Sequence, residues 1–251
     1  MTATDNRINL LGLAREELEE FFAARGEKPF RARQVLQWIH QRGVVDIDAM
    51  TDLSRPLRER LAEEARVVTP RVVSRHDSED GTVKWPFASG SGQAVETVFI
   101  PEPGRGTLCI SSQVGCALDC AFCATGAQGF NRNLSSAEIV GQVWHAIQEL
   151  PRRDTGDAAV TNVVLMGMGE PLANYRNVLP TLKLLVSDWS YGLSRRRVTV
   201  STSGIVPHID KLADDCNVSL AVSLHAPDDE LRDELVPVNK MHPIGKLLDS
   251  C

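Results

Sequence analysis

From residue 93 onward short β-rich runs alternate with helical periodicity, and this alternation constrains the fold more than any other feature. The runs at 93–100, 107–112, 162–166, 197–201 and 218–223 carry strand patterning, while 135–150, 174–187, 206–214 and a stretch opening near Pro243 carry helical patterning. Strands that alternate with helices form parallel β/α units, which gather functional groups at the C-terminal ends of their strands. Four strands with associated helices are fewer than a closed barrel needs. Residues 243–251 also open a helix with no stop signal, so the predicted class is α/β, an incomplete (β/α) barrel cut short at its C-terminal side.

The first ninety residues read differently. Leu10, Leu11, Leu13, Leu18, Phe21 and Phe22 interleave with Glu16, Glu17, Glu19 and Glu20, predicting an amphipathic helix over 9–23. Further helices are predicted over 31–42, behind Pro29, and over 55–65. Residues 77–92 turn to Asp, Gly and Ser and read as a linker or hairpin. The chain therefore divides into a mostly helical domain, 1–90, and a β/α core, 91–251. With 43% hydrophobic and 24% charged residues it is a folded protein. No apolar run approaches the roughly 18 residues of a membrane span, and the start lacks a signal-peptide layout, which places the protein in the cytoplasm.

Net charge is -6, from 27 Lys plus Arg against 33 Asp plus Glu, so any polyanion site must be local. The segment 25–42 is the one basic stretch, with Arg25, Lys28, Arg31, Arg33 and Arg42 against the single acid Glu27. It reads either as a solvated helix face or as an RNA-backbone footprint.

Cys116, Cys120 and Cys123 form a C-x3-C-x2-C run directly after the strand at 107–112. Three thiolates on one loop can each take one iron of a cubane cluster, leaving the fourth iron open to a small chelator such as S-adenosylmethionine. Structural zinc is the alternative, but it normally takes two ligand pairs, and the chain has no second C-x2-C pair. The turn Gly167-Met168-Gly169-Glu170-Pro171 follows the next strand, where glycines permit close backbone approach. Ser201, Ser223 and His225 fall at strand ends, where barrel chemistry collects, although a hydrogen-bonded structural role is the commoner one for such residues. Glu96 shares a strand face with Val98 and Ile100, and the other face is apolar too. A carboxylate there is costly unless paired or used; a Glu reaching solvent from an edge strand is the plain alternative.

The cysteine loop at the mouth of a β/α unit resembles the radical S-adenosylmethionine superfamily. Ser112-Gln113-Val114-Gly115-Cys116, residues 126–134, Met166-Gly167-Met168-Gly169-Glu170-Pro171-Leu172, Ser201-Thr202-Ser203-Gly204 and Ser223-Leu224-His225-Ala226 resemble the bacterial adenine-C2 RNA methyltransferases within it. The similarity extends to Gly26-Glu27-Lys28-Pro29-Phe30-Arg31 in the helical unit. It implies a radical-SAM barrel with a [4Fe-4S] cluster on Cys116, Cys120 and Cys123. S-adenosyl-L-methionine would be held by Gly169, Glu170, Ser201, Ser223, Leu224 and His225. Glu96 would act as proton acceptor near the substrate adenine. Cys109, by itself a small buried hydrophobe, would resolve the methylated adduct by a disulfide with a methyl-carrying cysteine near the family's C-terminus. The substrates implied are an adenine of 23S ribosomal RNA and one of transfer RNA. The implied partner is an electron donor such as flavodoxin, with no membrane, for a monomer.

The chain lacks the segment that bears the methyl-carrying cysteine. Cys251 reads as an ordinary helical residue, and Cys216 carries no argued role. Two alternatives therefore stay open: the adenine-C8 methyltransferase paralogue, whose cluster motifs are shared, and a non-catalytic Fe-S or RNA-binding fragment.

Overall fold

A computed structural model of the chain describes residues 5–90, 92–153, 156 and 158–251. The first four residues of the predicted helical domain lie outside these. Strand β1 (Ile8–Asn9) leads into a 3-10 turn, Leu10–Gly12, and then α1 (Arg15–Ala23). The helix predicted over 9–23 is thus interrupted. The Asn9 side chain accepts from Leu11 N and donates to the Val68 carbonyl at 2.8 Å, holding the first residues to a neighbouring segment. Next come α2 (Phe30–Leu36), a π turn at Gln37–Gln41, α3 (Arg55–Glu64) and β2 (Ala65–Arg66), which pairs in parallel with β1. Leu10, Leu18, Phe22, Val35, Ile39, Met50 and Leu61 are buried together, and Val140 and Leu184 of the following unit close that core.

The second unit is a seven-stranded mixed sheet with helices against it. In chain order it contains β3 (His76–Asp77), β4 (Val83–Ala88), β5 (Ala94–Glu102), β6 (Arg105–Cys109), the short pair β7 (Gln113–Val114) and β8 (Arg132–Asn133), and β9 (Asn162–Leu165), β10 (Val198–Thr202) and β11 (Ser219–Val222). Its helices are α4 (Ala124–Ala127), α5 (Ser136–Glu149), α6 (Tyr175–Val186), α7 (Val206–Asp215), α8 (Asp229–Leu235) and α9 (Ile244–Asp249). The sheet order is β11-β10-β9-β6-β5-β4-β3. Strands β6, β9, β10 and β11 run parallel, and β5, β4 and β3 add antiparallel hairpins. The two ends of the sheet do not meet, giving the partial barrel that the alternation predicts. Residues 76–88, where composition reads partly as linker, pair into this sheet because Val83, Trp85 and Phe87 alternate into its core.

Register explains which face is buried. Val98, Cys109, Val164 and Thr199 stand opposite one another across four strands, so they share a face with Glu96, Ile100 and Ser201. The other face carries Val95, Thr97, Phe99, Leu108, Val163, Val198 and Val200, all buried under the helices. α5 starts where the sequence announces it: Ser135 accepts from Glu138 N, and the Glu138 carboxylate accepts from Ser135 N, a reciprocal cap. Among the described residues no helix is long and apolar enough to cross a membrane.

Candidate active site

The strand predicted over 107–112 ends at Cys109, and α5 supplies the reason. Gln142, fully buried, accepts from Ser111 N at 2.9 Å and from Thr97 Oγ1 at 2.6 Å, and its amide donates to the Ser111 carbonyl at 2.9 Å. The side chain takes over the ladder positions of Ser111, and the backbone turns away from the sheet. Ser112 N and Gln113 N then donate to the Met168 carbonyl, while Gln113 Oε1 accepts from Glu170 N at 2.8 Å and its amide donates to Asn133 at 2.8 Å. Buried Asn174 donates to the carbonyls of Ser112 and Leu134. These amides lock the entry to the cysteine loop against the turn after β9.

Gly115 sits at φ 74°, and a Cβ there would collide with the Gly129 carbonyl oxygen, so the loop closes on itself only because this residue has no side chain. Cys116, Cys120 and Cys123 then line one cavity of about 300 Å³, together with Gly169, Glu170, Ser201, Ser203, Ser223 and His225. Burial pushes the Cys116 and Cys120 thiols up, and Glu170 and the neighbouring cysteines push them the same way. A bound cation would reverse this, since it favours thiolate. Among the described residues no three His, Cys, Asp or Glu side chains gather about one point as a single-metal site requires. Three thiols around one cavity fit a cubane, in which each sulfur goes to a separate iron.

Glu170 is 3% exposed, and burial raises its carboxyl. Oε2 accepts from Ser203 N at 2.8 Å and Oε1 from Leu172 N at 3.0 Å. The carboxylate therefore ties the turn after β9 to the end of β10. Gly169, at φ 94°, packs against Gln113, where a side chain would clash. Among the described residues two non-glycines hold positive φ, Asp119 at 50° and His225 at 62°. Both belong to this site: Asp119 lies between two of the cysteines, and His225 meets the Phe122 ring at 4.5 Å.

The structure thus brings eight predicted residues to one cavity: Cys116, Cys120, Cys123, Gly169, Glu170, Ser201, Ser223 and His225. Leu224 does not line it; its carbonyl accepts from Arg232. Glu96 and Cys109 lie on the open face of the sheet. Glu96 corrects the expectation of an edge strand or a buried cost. It stands on a central strand, half-exposed, 3.1 Å from Lys84 Nζ. Burial pushes the Cys109 thiol up, and among the described residues all six cysteines are free, so no disulfide is present. Cys251 follows α9 rather than lying within it. The basic stretch is also less positive than its sequence: Arg25 meets Glu64 at 2.5 Å, Arg42 meets Asp52 at 3.5 Å, and Arg31 meets Glu27 at 3.7 Å. Glu64 and Asp52, outside the stretch, supply compensation that its own sequence does not show. Gln113, Gln142, Asn174 and Arg232 escape sequence reasoning. Gln142 signals itself only as a polar residue on an otherwise apolar helix face, Arg232 lies among charged neighbours, and Gln113 and Asn174 sit in a two-residue strand and a 3-10 turn, so none stands out.

A three-cysteine loop after a parallel strand, facing glycine and serine strand ends in a partial barrel, defines the radical SAM class, and the Radical SAM superfamily model matches residues 110–249. The ribosomal RNA large subunit methyltransferase N-terminal domain model matches residues 8–67. The dual-specificity RNA methyltransferase RlmN of Francisella tularensis subsp. novicida is 57% identical over 247 residues, covering 98% of this chain and 66% of that protein. The enzyme of the same name from Marinobacter nauticus is 56% identical over 248 residues, covering 99% and 67%. A crystal structure of a radical SAM methyltransferase from Sphaerobacter thermophilus superposes with a TM-score of 0.85 at 45% identity, covering 97% of this chain and 71% of that one. The chain belongs to the radical SAM superfamily and, within it, to the family of these dual-specificity RNA methyltransferases. It spans about two thirds of the length of the curated relatives it matches.

Proposed function

We propose that this chain carries the cluster- and cofactor-binding machinery of an RNA methyltransferase that acts on C2 of adenine in 23S ribosomal RNA and in transfer RNA. The observation that carries the reading is the meeting of Cys116, Cys120 and Cys123 with Gly169, Glu170, Ser201, Ser223 and His225 around one cavity of about 300 Å³. The three thiolates hold a [4Fe-4S] cluster, and the strand ends hold S-adenosyl-L-methionine. When bound, this pair supplies the reductive carbon–sulfur cleavage on which radical chemistry depends.

The protein's own part is positioning. Both Glu170 carboxylate oxygens accept backbone N–H groups inside the fold, so Glu170 serves the cofactor by holding the Gly169-Glu170 turn in place. The Ser201 and Ser223 hydroxyls and the His225 ring offer polar contacts at the mouth. Glu96 and Cys109 share the open face of the sheet, where Glu96 would take a proton from the substrate adenine and Cys109 would release the adduct by forming a disulfide with the methyl-carrying cysteine of the family's C-terminal segment. The helical unit ahead of β3 contacts RNA, and the core from β3 onward performs the chemistry in the cytoplasm, as a monomer supplied with electrons by a flavodoxin-like donor.

The test is anaerobic reconstitution followed by incubation with reductant, S-adenosylmethionine and unmodified RNA, with cofactor fragments and RNA bases read by mass. Uptake of about four irons per chain and cofactor cleavage are expected, and RNA methylated at C2 is expected only where the methyl-carrying cysteine is present as well. A reconstituted chain with no cluster absorbance refutes the proposal.

A further inference from the structure

Arg232 on α8 belongs to no predicted motif. It is fully buried, and among the described residues no carboxylate forms an ion pair with it. Its donors instead go to the ends of two strands. Nε donates to the Leu224 carbonyl at 2.9 Å, one terminal nitrogen donates to the carbonyls of Ser203 at 2.6 Å and Ser223 at 3.3 Å, and the other donates to Asn239 Oδ1 at 2.6 Å. A guanidinium without water is costly unless its donors are satisfied. Asn239 completes the arrangement by donating to Asp229 Oδ1 at 2.9 Å and Asp233 Oδ1 at 2.7 Å, so two acids compensate the cation through a neutral amide.

The same helix reaches the cysteine loop. The carbonyl of its last residue, Leu235, accepts from Ala121 N at 3.0 Å, between Cys120 and Cys123. His225, held at φ 62°, directly follows Leu224, whose carbonyl Arg232 grips. One short helix therefore contacts the end of β10, the end of β11 and the loop that bears the thiols. We propose that Arg232 is a positioning residue that, through α8, sets the cofactor-binding strand ends relative to the cysteine loop. This rests on reading those strand ends as the S-adenosylmethionine site. Lysine cannot replace it, because a point charge lacks the planar fork that serves separate acceptors at once.

The test uses the 251-residue chain as wild type, R232K and N239A, the last removing one acceptor of Arg232 while leaving the arginine. Hydrogen exchange is read without cofactor at Ala121, Ser203, Gly204 and Ser223, whose amides are hydrogen-bonded. S-adenosylmethionine affinity is read by equilibrium dialysis of the reconstituted chain at matched iron content. R232K is expected to raise exchange at all four amides with α1 and α3 unchanged, and to weaken cofactor binding about ten- to hundred-fold, the loss that follows from charged-donor hydrogen bonds. N239A should give the same pattern at smaller amplitude. Faster exchange confined to α8, or unchanged affinity in R232K, overturns the proposal. If R232K loses protection throughout, N239A decides by the same criteria. A wild-type chain that takes up iron but binds no S-adenosylmethionine refutes the cofactor reading, while the exchange pattern still decides whether α8 couples the loop to the strand ends.

Discussion

Acid should loosen the contact between the two units through one histidine. His40 lies in the π turn of the helical unit, 3% exposed, with Nδ1 3.0 Å from the Tyr191 hydroxyl of the core. Burial holds its pKa down at about 3, from the ordinary imidazole value of 6.5. The fold therefore favours neutral imidazole, and the contribution to stability is complete above pH 6.5 and is lost as the pH falls from there toward 3. Linkage with these two values gives a loss of about 2 kcal/mol between about pH 7 and about pH 5. The loss saturates near 5 kcal/mol, in round figures, once both states are protonated. Urea denaturation of wild type and H40Q at the two pH values isolates this contribution, because every other titrating group is common to both chains. H40Q should be less stable than wild type near neutrality and lose about 2 kcal/mol less on acidification. Equal losses in the two chains would refute the reasoning and show that water reaches the imidazole.

Cys120→Ala should abolish most of the cluster absorbance after reconstitution, because the remaining two thiolates cannot hold three irons; full absorbance in an iron titration would remove the loop from the site. Gln142→Leu strands the amide and carbonyl of Ser111 and the Thr97 hydroxyl, all buried, at a cost of about 3 kcal/mol or more in a denaturant titration. Gly115→Ala combines a positive φ with a backbone collision, so iron uptake should fall sharply while α1 to α3 keep their exchange protection. Neutralising Arg31 and Arg33 together should lower the salt slope of RNA binding by less than about two, the value for two phosphate contacts, since Glu27 already compensates Arg31.

Much of the architecture is legible in local pattern. The β/α alternation beyond residue 93, the helix opening at Ser135 and the C-x3-C-x2-C loop each declare themselves within a few residues. Their physics is equally short-ranged: side-chain periodicity, N–H satisfaction at a helix start, and three ligands on one turn of chain. The four parallel strands of the large sheet and the cysteine cavity follow from such signals. The halting of β6 at Cys109 does not, because it depends on an amide 31 residues away. Nor does the exposure of Glu96: both faces of its strand read as apolar, and only the placement of helices on one side leaves the other open to Lys84 and water. Arg232 is the extreme case. In sequence it is one charged residue in Asp229-Glu230-Leu231-Arg232-Asp233-Glu234-Leu235, indistinguishable from a solvated helix face. Tertiary packing alone buries it and aims it at carbonyls 8, 9 and 29 residues distant. Local pattern determined which segments are strands, helices and ligand loop, because those choices are settled between near neighbours. Which polar groups end up without water was decided by packing, because burial depends on every element that happens to cover them.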